Sequence, residues 1–345
     1  MSKRDIKDFS ISALRDEFKS IGLAKYRVPQ LLKWLYQGNV KSFDEMTNFK
    51  KDLRELFSES FYIGDLELVE KQESADGCTK FLQRLSDGTC IESVIIPDDG
   101  RNTLCVSSQV GCTMGCKFCL TAKHGYIRNL TIGEIVNQVL FAKQYVAPER
   151  ITNIVFMGMG EPLNNLDNVA DAIEILKEDD AFGMSARRIT VSTSGVVPKL
   201  QELCDRIEVM IAVSLNAADD AIRAKIMPIN KKYPIRELID CCRALPMKKR
   251  ARITFEYVMI KGLNDSVRDA AHLAKLLAGL KCKVNIIPFN EHPDLEFKRP
   301  SDEAIREFQT YLLNKNFTVI LRTSRGADIS AACGQLRGRT ERSTG

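Results

Sequence analysis

Long apolar runs are absent from this 345-residue chain. No stretch approaches the roughly 18 apolar residues that a membrane-spanning helix requires, which excludes a helical integral membrane protein. An apolar signal core is lacking too. The start, M-S-K-R-D-I-K-D, leads into none, so secretion is not expected and the chain reads as cytoplasmic. Extreme charge is also missing: the formal net charge is +5, with 28% charged and 44% hydrophobic residues, an ordinary globular composition. The length allows one large domain or two. Cysteine, by contrast, is plentiful, with eleven in the chain. In a cytoplasmic setting that points to metal, cluster or redox chemistry rather than a disulfide scaffold. Cys78, Cys90, Cys204, Cys241, Cys242 and Cys282 sit in ordinary surroundings and read as packing residues.

A fourth ligand is the next absence. Val110 to Leu120 reads V-G-C-T-M-G-C-K-F-C-L, placing Cys112, Cys116 and Cys119 in a C-x3-C-x2-C spacing. Structural zinc takes four closed ligands, and iron-sulfur cubanes are commonly held by four cysteines. A cubane held by three keeps one iron open to a small molecule. This spacing is the one used by radical S-adenosylmethionine (SAM) enzymes, whose open iron chelates the amino and carboxylate groups of SAM. Three buried packing cysteines are the alternative. Gly111, Gly115 and Lys117 argue for a loop instead.

Residues 1–60 read as a small helical unit. Ser12 to Ile21 is amphipathic, Pro29 opens a second helix that Gly38 closes, and a third runs from Asp44 to Phe57. Between Lys19 and Lys41 there are five basic residues (Lys19, Lys25, Arg27, Lys33, Lys41) and no acidic one, interleaved with Tyr26, Trp34 and Tyr36. This is either a solvated face over core aromatics or a nucleic-acid footprint. Residues 61–98 alternate in short runs (Leu66 to Val69, Thr79 to Leu85, Cys90 to Ile96) around A-D-G and S-D-G turns, an antiparallel meander expected to link to the main domain. In residues 99–330, strands at Leu104 to Val110, Ile154 to Met159, Ile189 to Ser194, Val209 to Leu215, Ile253 to Ile260, Val284 to Phe289 and Thr318 to Arg322 alternate with amphipathic helices. The expected fold class is therefore α/β, a partial (β/α)6 barrel with chemistry at the C-terminal strand ends.

Polar and Gly-rich motifs fall at those ends. The first strand runs into the cysteine loop, the second into G-M-G-E-P, the third into S-T-S-G, the fourth into S-L-N-A and the sixth into P-F-N. Gly158 and Gly160 let backbone approach a ligand. Glu161 offers a carboxylate to a cationic amine, and Ser192, Ser214, Leu215, Asn216 and Asn290 complete the candidate SAM set through hydroxyl, amide or backbone groups. The remaining segment, residues 331–345, follows R-T-S-R-G-A-D-I-S and contains A-A-C-G-Q-L. Cys333 has small neighbours and no apolar periodicity, which predicts a mobile loop with a thiol that neighbours could activate. Residues 321–345 hold five Arg against one Asp and one Glu, a basic tail.

The combination L-C-V-S-S-Q-V-G-C-T-M-G-C-K-F-C, F-M-G-M-G-E-P-L-N-N, R-R-I-T-V-S-T-S-G-V-V-P, M-P-I-N-K-K-Y-P and A-D-I-S-A-A-C-G-Q-L resembles the radical SAM dual-specificity RNA methyltransferases of the RlmN type, over nearly the whole chain. The resemblance implies a 4Fe-4S cluster on Cys112, Cys116 and Cys119 and two SAM molecules per turnover. One SAM methylates Cys333; the second, cleaved to a 5'-deoxyadenosyl radical, removes hydrogen from that methyl group. The methylene radical adds to carbon 2 of an adenine, Glu92 takes the proton, and Cys105 attacks Cys333 to form a transient disulfide and release product. From the pattern alone, Glu92 is equally a polar residue on a solvent face and Cys105 a packed strand residue.

The implied substrates are 23S rRNA near the peptidyl transferase centre and tRNA beside the anticodon. The base must be unstacked or flipped, held by the basic N-terminal helices, Lys231 with Lys232, the Lys248 to Arg252 run and the arginines near Cys333. A flavodoxin or ferredoxin would donate electrons, and nothing demands more than a monomer. One departure is Asn216, where many members have His; a side-chain role there is doubtful. The sister Cfr-type enzymes methylate carbon 8 and typically have Ala at the position of Pro162. The alternatives are thus a Cfr-type enzyme, or a non-catalytic iron-sulfur or zinc RNA-binding protein.

Overall fold

The computed structural model describes residues 3–248, 251–336 and 338. Lys249 and Arg250 of the basic run, and Arg337, Arg339 and Arg342 of the tail, lie outside the described residues.

Three helices open the chain. Ser10 caps α1 (Ile11–Ser20), its Oγ accepting from the Ala13 N–H at 3.1 Å, and Leu14 and Phe18 face inward. α2 (Arg27–Leu32) continues into a wider turn, Lys33–Gln37, that ends at Gly38. Pro29 is the third helical residue rather than the first, still within the turn whose N–H groups have no helical partner. The third helix starts later than the pattern predicts. Ser42 and Glu45 form a capping box around a single turn, Phe43–Glu45, which satisfies the local N–H groups, and α3 begins only at Lys51, ending at Ser60. Phe57 of α3 is the hub of this unit, with ring centroids 5.4 Å from Phe18, 5.7 Å from Phe43 and 5.7 Å from Phe49.

One ten-stranded sheet forms the body, its strands hydrogen-bonded in chain order: β1 (Glu67–Glu73), β2 (Thr79–Arg84), β3 (Cys90–Asp98), β4 (Arg101–Cys105), β5 (Asn153–Phe156), β6 (Ile189–Thr193), β7 (Met210–Ser214), β8 (Ile253–Met259), β9 (Cys282–Pro288) and β10 (Thr318–Leu321). The first four are antiparallel and β4 to β10 are parallel. Crossovers run through α4 (Ile132–Val146), α5 (Leu166–Lys177), α6 (Val197–Arg206), α7 (Asp220–Ile226), α8 (Ile235–Ala244), α9 (Val267–Leu277) and α10 (Asp302–Asn314), the right architecture for a partial barrel.

Two expectations are corrected. The meander is not only a linker, because β3 pairs with β4 in the register Val94↔Cys105 and so continues the barrel sheet. The strand expected from Leu104 to Val110 breaks after Cys105. There Ser107 Oγ donates to the Glu92 carbonyl at 2.6 Å and the Ser107 N–H goes to Gln138 Oε1 at 2.8 Å, taking the backbone out of the ladder. Gln109–Gly111 then pairs with Tyr126–Asn129 as a separate ribbon.

The helical unit is bonded to the barrel through Lys7, fully buried, whose Nζ donates to Asn137 Oδ1 at 2.8 Å and to the Gly64 carbonyl at 3.0 Å. Truncating the hub ring should show how much its packing holds. Phe57→Ala is expected to destabilise the chain by about 3–5 kcal/mol, read as a lower urea midpoint.

Candidate active site

The cysteine loop is built by close backbone approach. Gly111 has φ +79°, and a Cβ there would stand 1.9 Å from the Gly125 carbonyl oxygen; the next N–H, of Cys112, donates to that same oxygen at 2.8 Å. The Lys117 N–H donates to the Ile226 carbonyl at 2.9 Å and the Cys119 N–H to the Cys116 carbonyl at 3.2 Å. Cys112, Cys116 and Cys119 thereby line one cavity of about 150 Å³ at the C-terminal ends of β5 to β9. Burial pushes the Cys112 thiol up to about 12 and the Cys116 and Cys119 thiols up as well. A cationic guest is what would draw their protons off.

Among the described residues, no three His, Cys, Asp or Glu side chains converge on a single metal-ion position. Zinc, at about 2.3 Å from each sulfur, needs such a point. A cubane is a larger guest whose corners spread several ångström apart, and three thiols around a shared cavity fit it.

The other candidate SAM ligands divide into those free to meet a ligand and those already engaged. Gly158 and Gly160 line the cavity, but their lack of a side chain also serves the fold. A Cβ on Gly158 would meet the Val106 backbone at 2.7 Å, and one on Gly160, at φ +104°, would meet Gln109 Cβ at 2.6 Å. Glu161 is buried; its Oε2 accepts from the Ser194 N–H at 2.7 Å and its Oε1 from the Leu163 N–H at 3.2 Å. Burial raises its pKa, with those donors pulling the other way. Ser192 and Ser214 line the cavity. Leu215 does not, and its carbonyl accepts from Arg223 Nε at 3.0 Å. Asn216, at φ +60°, lines it with a committed side chain: Oδ1 accepts from the Val258 N–H at 2.8 Å and Nδ2 contacts Met227 Sδ at 3.1 Å. Asn290 Nδ2 donates to the Cys333 carbonyl at 3.2 Å and its Oδ1 accepts from Ser324 Oγ.

Cys333 is not on a free-standing loop. Ala331 and Ala332 are buried, the Gly334 carbonyl accepts from the Leu120 N–H at 2.7 Å, and the Leu336 carbonyl accepts from Thr121 Oγ at 2.5 Å. Small residues, which the pattern suggested were mobile, let the segment pack against the cysteine loop. Cys333 lines the cluster cavity and also a second cavity of about 550 Å³, which Cys105 shares. Burial pushes the Cys105 thiol up to about 12; Cys333 adds to that and the Arg322 guanidinium opposes it.

Glu92 stands apart. It is buried in an ion pair with Lys80 at 3.2 Å, its Oε2 accepts from the Gly338 N–H at 3.2 Å, and it lines a separate cavity with Asp328 and Ser330.

Three charged residues at the site escape a reading of the sequence. Arg223 is fully buried. It ties the ends of β6 and β7 together by donating to the carbonyls of Ser194 at 2.7 Å and Ser214 at 3.2 Å, and burial lowers its pKa to about 10. Arg322 lies within electrostatic range of Cys333, Glu256 and Cys105, and the Cys333 thiol is the main cause of its raised pKa. Glu256 is buried in the wall common to both cavities. Its nearest donors, Ser192 Oγ and Asn285 Nδ2, are both at 3.4 Å, which leaves it capacity to accept from a ligand hydroxyl or amine. A lone Glu inside I-T-F-E-Y-V-M was the available signal.

Of the aromatics in the basic N-terminal stretch, Tyr26 is 59% exposed and Tyr36 is fully buried, so Tyr36 belongs to the core. Lys33 and Lys41 form surface ion pairs with Asp180 and Asp65.

A partial α/β barrel with three cysteines in C-x3-C-x2-C spacing around one cavity at its C-terminal mouth defines a radical SAM enzyme. The Radical SAM superfamily model matches residues 106–274, and the ribosomal RNA large subunit methyltransferase N-terminal domain matches residues 4–63. A crystal structure of a radical SAM methyltransferase from Sphaerobacter thermophilus is similar at a TM-score of 0.90 and 43% identity, covering 97% of this chain and 99% of that one. Dual-specificity RNA methyltransferases RlmN are 50% identical in Geotalea uraniireducens (99% of both chains) and 51% identical in Geobacter sulfurreducens (98% of this chain, 93% of the relative). The chain belongs to the RlmN family of SAM-dependent RNA methyltransferases, and that family's cofactors are a 4Fe-4S cluster and SAM.

The tight approach at Gly111 yields a direct expectation. Gly111→Ala should fold yet bind far less iron than the parent after anaerobic reconstitution, because the Cys112 turn cannot close. Iron and sulfide analysis beside far-UV circular dichroism measures this; parent-level iron would contradict it.

Proposed function

We propose that this chain methylates carbon 2 of adenine in 23S rRNA and in tRNA next to the anticodon, through a methylated Cys333 and a transient Cys105–Cys333 disulfide. The observation that carries the reading is the position of Cys333, in the wall between the cavity of the three cluster cysteines and the cavity of Cys105. A group carried on its sulfur meets cofactor on one side and substrate on the other.

Carbon 2 of adenine is electrophilic, so direct transfer from the SAM sulfonium cannot reach it and a radical route is required. When bound on Cys112, Cys116 and Cys119, the cluster supplies the electron that cleaves SAM. The chain's own residues do the rest. Glu161, Ser192, Ser214 and the backbone at Gly160 are the groups that would meet the cofactor, with Leu215, Asn216 and Asn290 as its framework. Cys333 carries the methyl group, whose carbon joins the base once one of its hydrogen atoms has passed to the adenosyl fragment of a cleaved SAM; the unpaired electron left on the adduct would return to the cluster. Cys105 Sγ, as the thiolate, then attacks Cys333 Sγ, making an S–S bond and breaking the C–S bond, whose electron pair stays with the product carbon and is protonated there to complete the methyl group. Arg322 beside both sulfurs favours the thiolate that this attack needs.

Glu92 takes the carbon-2 proton. Lys80 opposite compensates the cost of burying its charge, and Glu92 has to turn from that separate cavity toward the base for the transfer. Flavodoxin or ferredoxin supplies electrons to a cytoplasmic monomer that uses two SAM per turnover. Among the described residues no helix is long and apolar enough to cross a membrane. The flipped base enters the larger cavity, while Tyr26, Arg27, Lys231 and Lys232 hold RNA backbone and stacked bases.

The test is mass spectrometry of adenosines after anaerobic incubation of reconstituted protein with SAM and RNA. The expected product is 2-methyladenosine, and 8-methyladenosine would assign the Cfr-type reaction instead. Cys333→Ala should abolish product, and Cys105→Ala should trap a covalent protein–RNA adduct. Full turnover by the Cys333 variant would overturn the proposal.

A further inference from the structure

The meander reaches the segment that carries Cys333. The β1–β2 turn, Ser74 to Cys78, lies against residues 325–328. Asp76 Oδ1 accepts from the Cys78 N–H at 3.0 Å and its Oδ2 from the Gly326 N–H at 2.8 Å, so one carboxylate closes its own turn and holds backbone some 250 positions away. Asp328 returns the contact, accepting from Ser74 Oγ at 2.6 Å and from the Ala75 N–H at 3.1 Å. Arg325 donates to the Pro97 carbonyl at 2.8 Å, and Lys80 donates to the Ser330 carbonyl at 3.3 Å. Gly326, at φ +67°, fits only without a side chain, since a Cβ would meet Ala331 Cβ at 2.8 Å.

Downstream, the cysteine loop takes over through the bonds to Gly334 and Leu336. Only Ala331, Ala332 and Cys333 lie between the two sets of anchors, and of these Cys333 is held through its carbonyl by Asn290. Three residues of chain limit the excursion of the Cys333 sulfur to the order of 10 Å, enough to serve two adjoining cavities and too little to leave them. Hydrogen bonds to ionised side chains are the stronger kind, and the upstream anchors use two carboxylates that take no part in the chemistry.

We propose that the β1–β2 turn is a dock that sets the reach of Cys333, with Asp76 and Asp328 as positioning residues for the methyl-carrying thiol. The inference rests on the reading of Cys333 as that carrier. The dock explains why the meander is continuous with the barrel sheet: a hairpin that swung freely could not hold a thiol in register with a cavity wall.

Both carboxylates are on exposed residues, so Asp328→Ala and Asp76→Ala should fold. The experiment is anaerobic labelling of the reconstituted, SAM-free holoenzyme with iodoacetamide, with the unmethylated Cys333 thiol quantified by peptide mass spectrometry and buried Cys242 of α8 as the internal control. Labelling at Cys333 is expected to rise about tenfold in both variants, the order set by losing a charge-assisted hydrogen bond, with Cys242 labelling and iron content unchanged. Asp328→Asn, which keeps an acceptor oxygen, should recover most of the parent rate. An unchanged Cys333 rate in both alanine variants would overturn the dock, as would a parallel rise at Cys242, which marks general loosening. Failure of the carrier reading is distinct: parent protein given SAM would then show no methyl group on Cys333, whatever the labelling rates.

Discussion

Two backbones meet where the Leu120 N–H donates to the Gly334 carbonyl at 2.7 Å, and the rest of the site depends on that meeting. Gly334 holds φ +85°, and a Cβ there would stand 3.0 Å from the Phe118 carbonyl oxygen. With no side chain in the way, the segment bearing Cys333 lies directly on the loop bearing Cys119, over 200 positions earlier. A thiol can work on a cofactor held by that loop only if chain and loop are this close. Asn290 secures the same segment from the end of β9 through the Cys333 carbonyl.

The electrostatics follow from burial. Thiols removed from water resist ionisation, so Cys112, Cys116 and Cys105 are pushed up and stay inert until something cationic approaches. For the cluster cysteines that role would fall to iron; for Cys105 the nearby cation is Arg322. Arg223 is a buried cation within electrostatic range of Cys116, hydrogen-bonded to carbonyls at the ends of β6 and β7 and to Asn230 Oδ1.

Several side chains that could have been ligands are used by the framework. Asn216 completes the ladder beside Val258, and Asn290 and Glu92 hold the flanks of the Cys333 segment. The site is thus shaped by a network that also positions it, and its strand-end glycines save space against Val106 and Gln109 as much as they admit a ligand. The meander belongs to this network, because its turn grips the same segment from the opposite side.

Local spacing alone determined much of this protein. C-x3-C-x2-C is a statement about three side chains within eight residues, and the alternation of apolar strands with amphipathic helices reports a parallel sheet without any long-range contact. The positions of Gly160, Glu161, Ser192 and Ser214 at strand ends were legible for the same reason. What only the tertiary structure decided concerns groups far apart in the chain: the cavity that Cys105 and Cys333 share, Glu92 against Gly338 rather than in that cavity, Arg223 on the carbonyl of Ser194, Asp76 on Gly326. Periodicity says which face of an element is buried, but not which distant element covers it. That depends on where the sheet carries each strand end and on glycines that let two backbones touch.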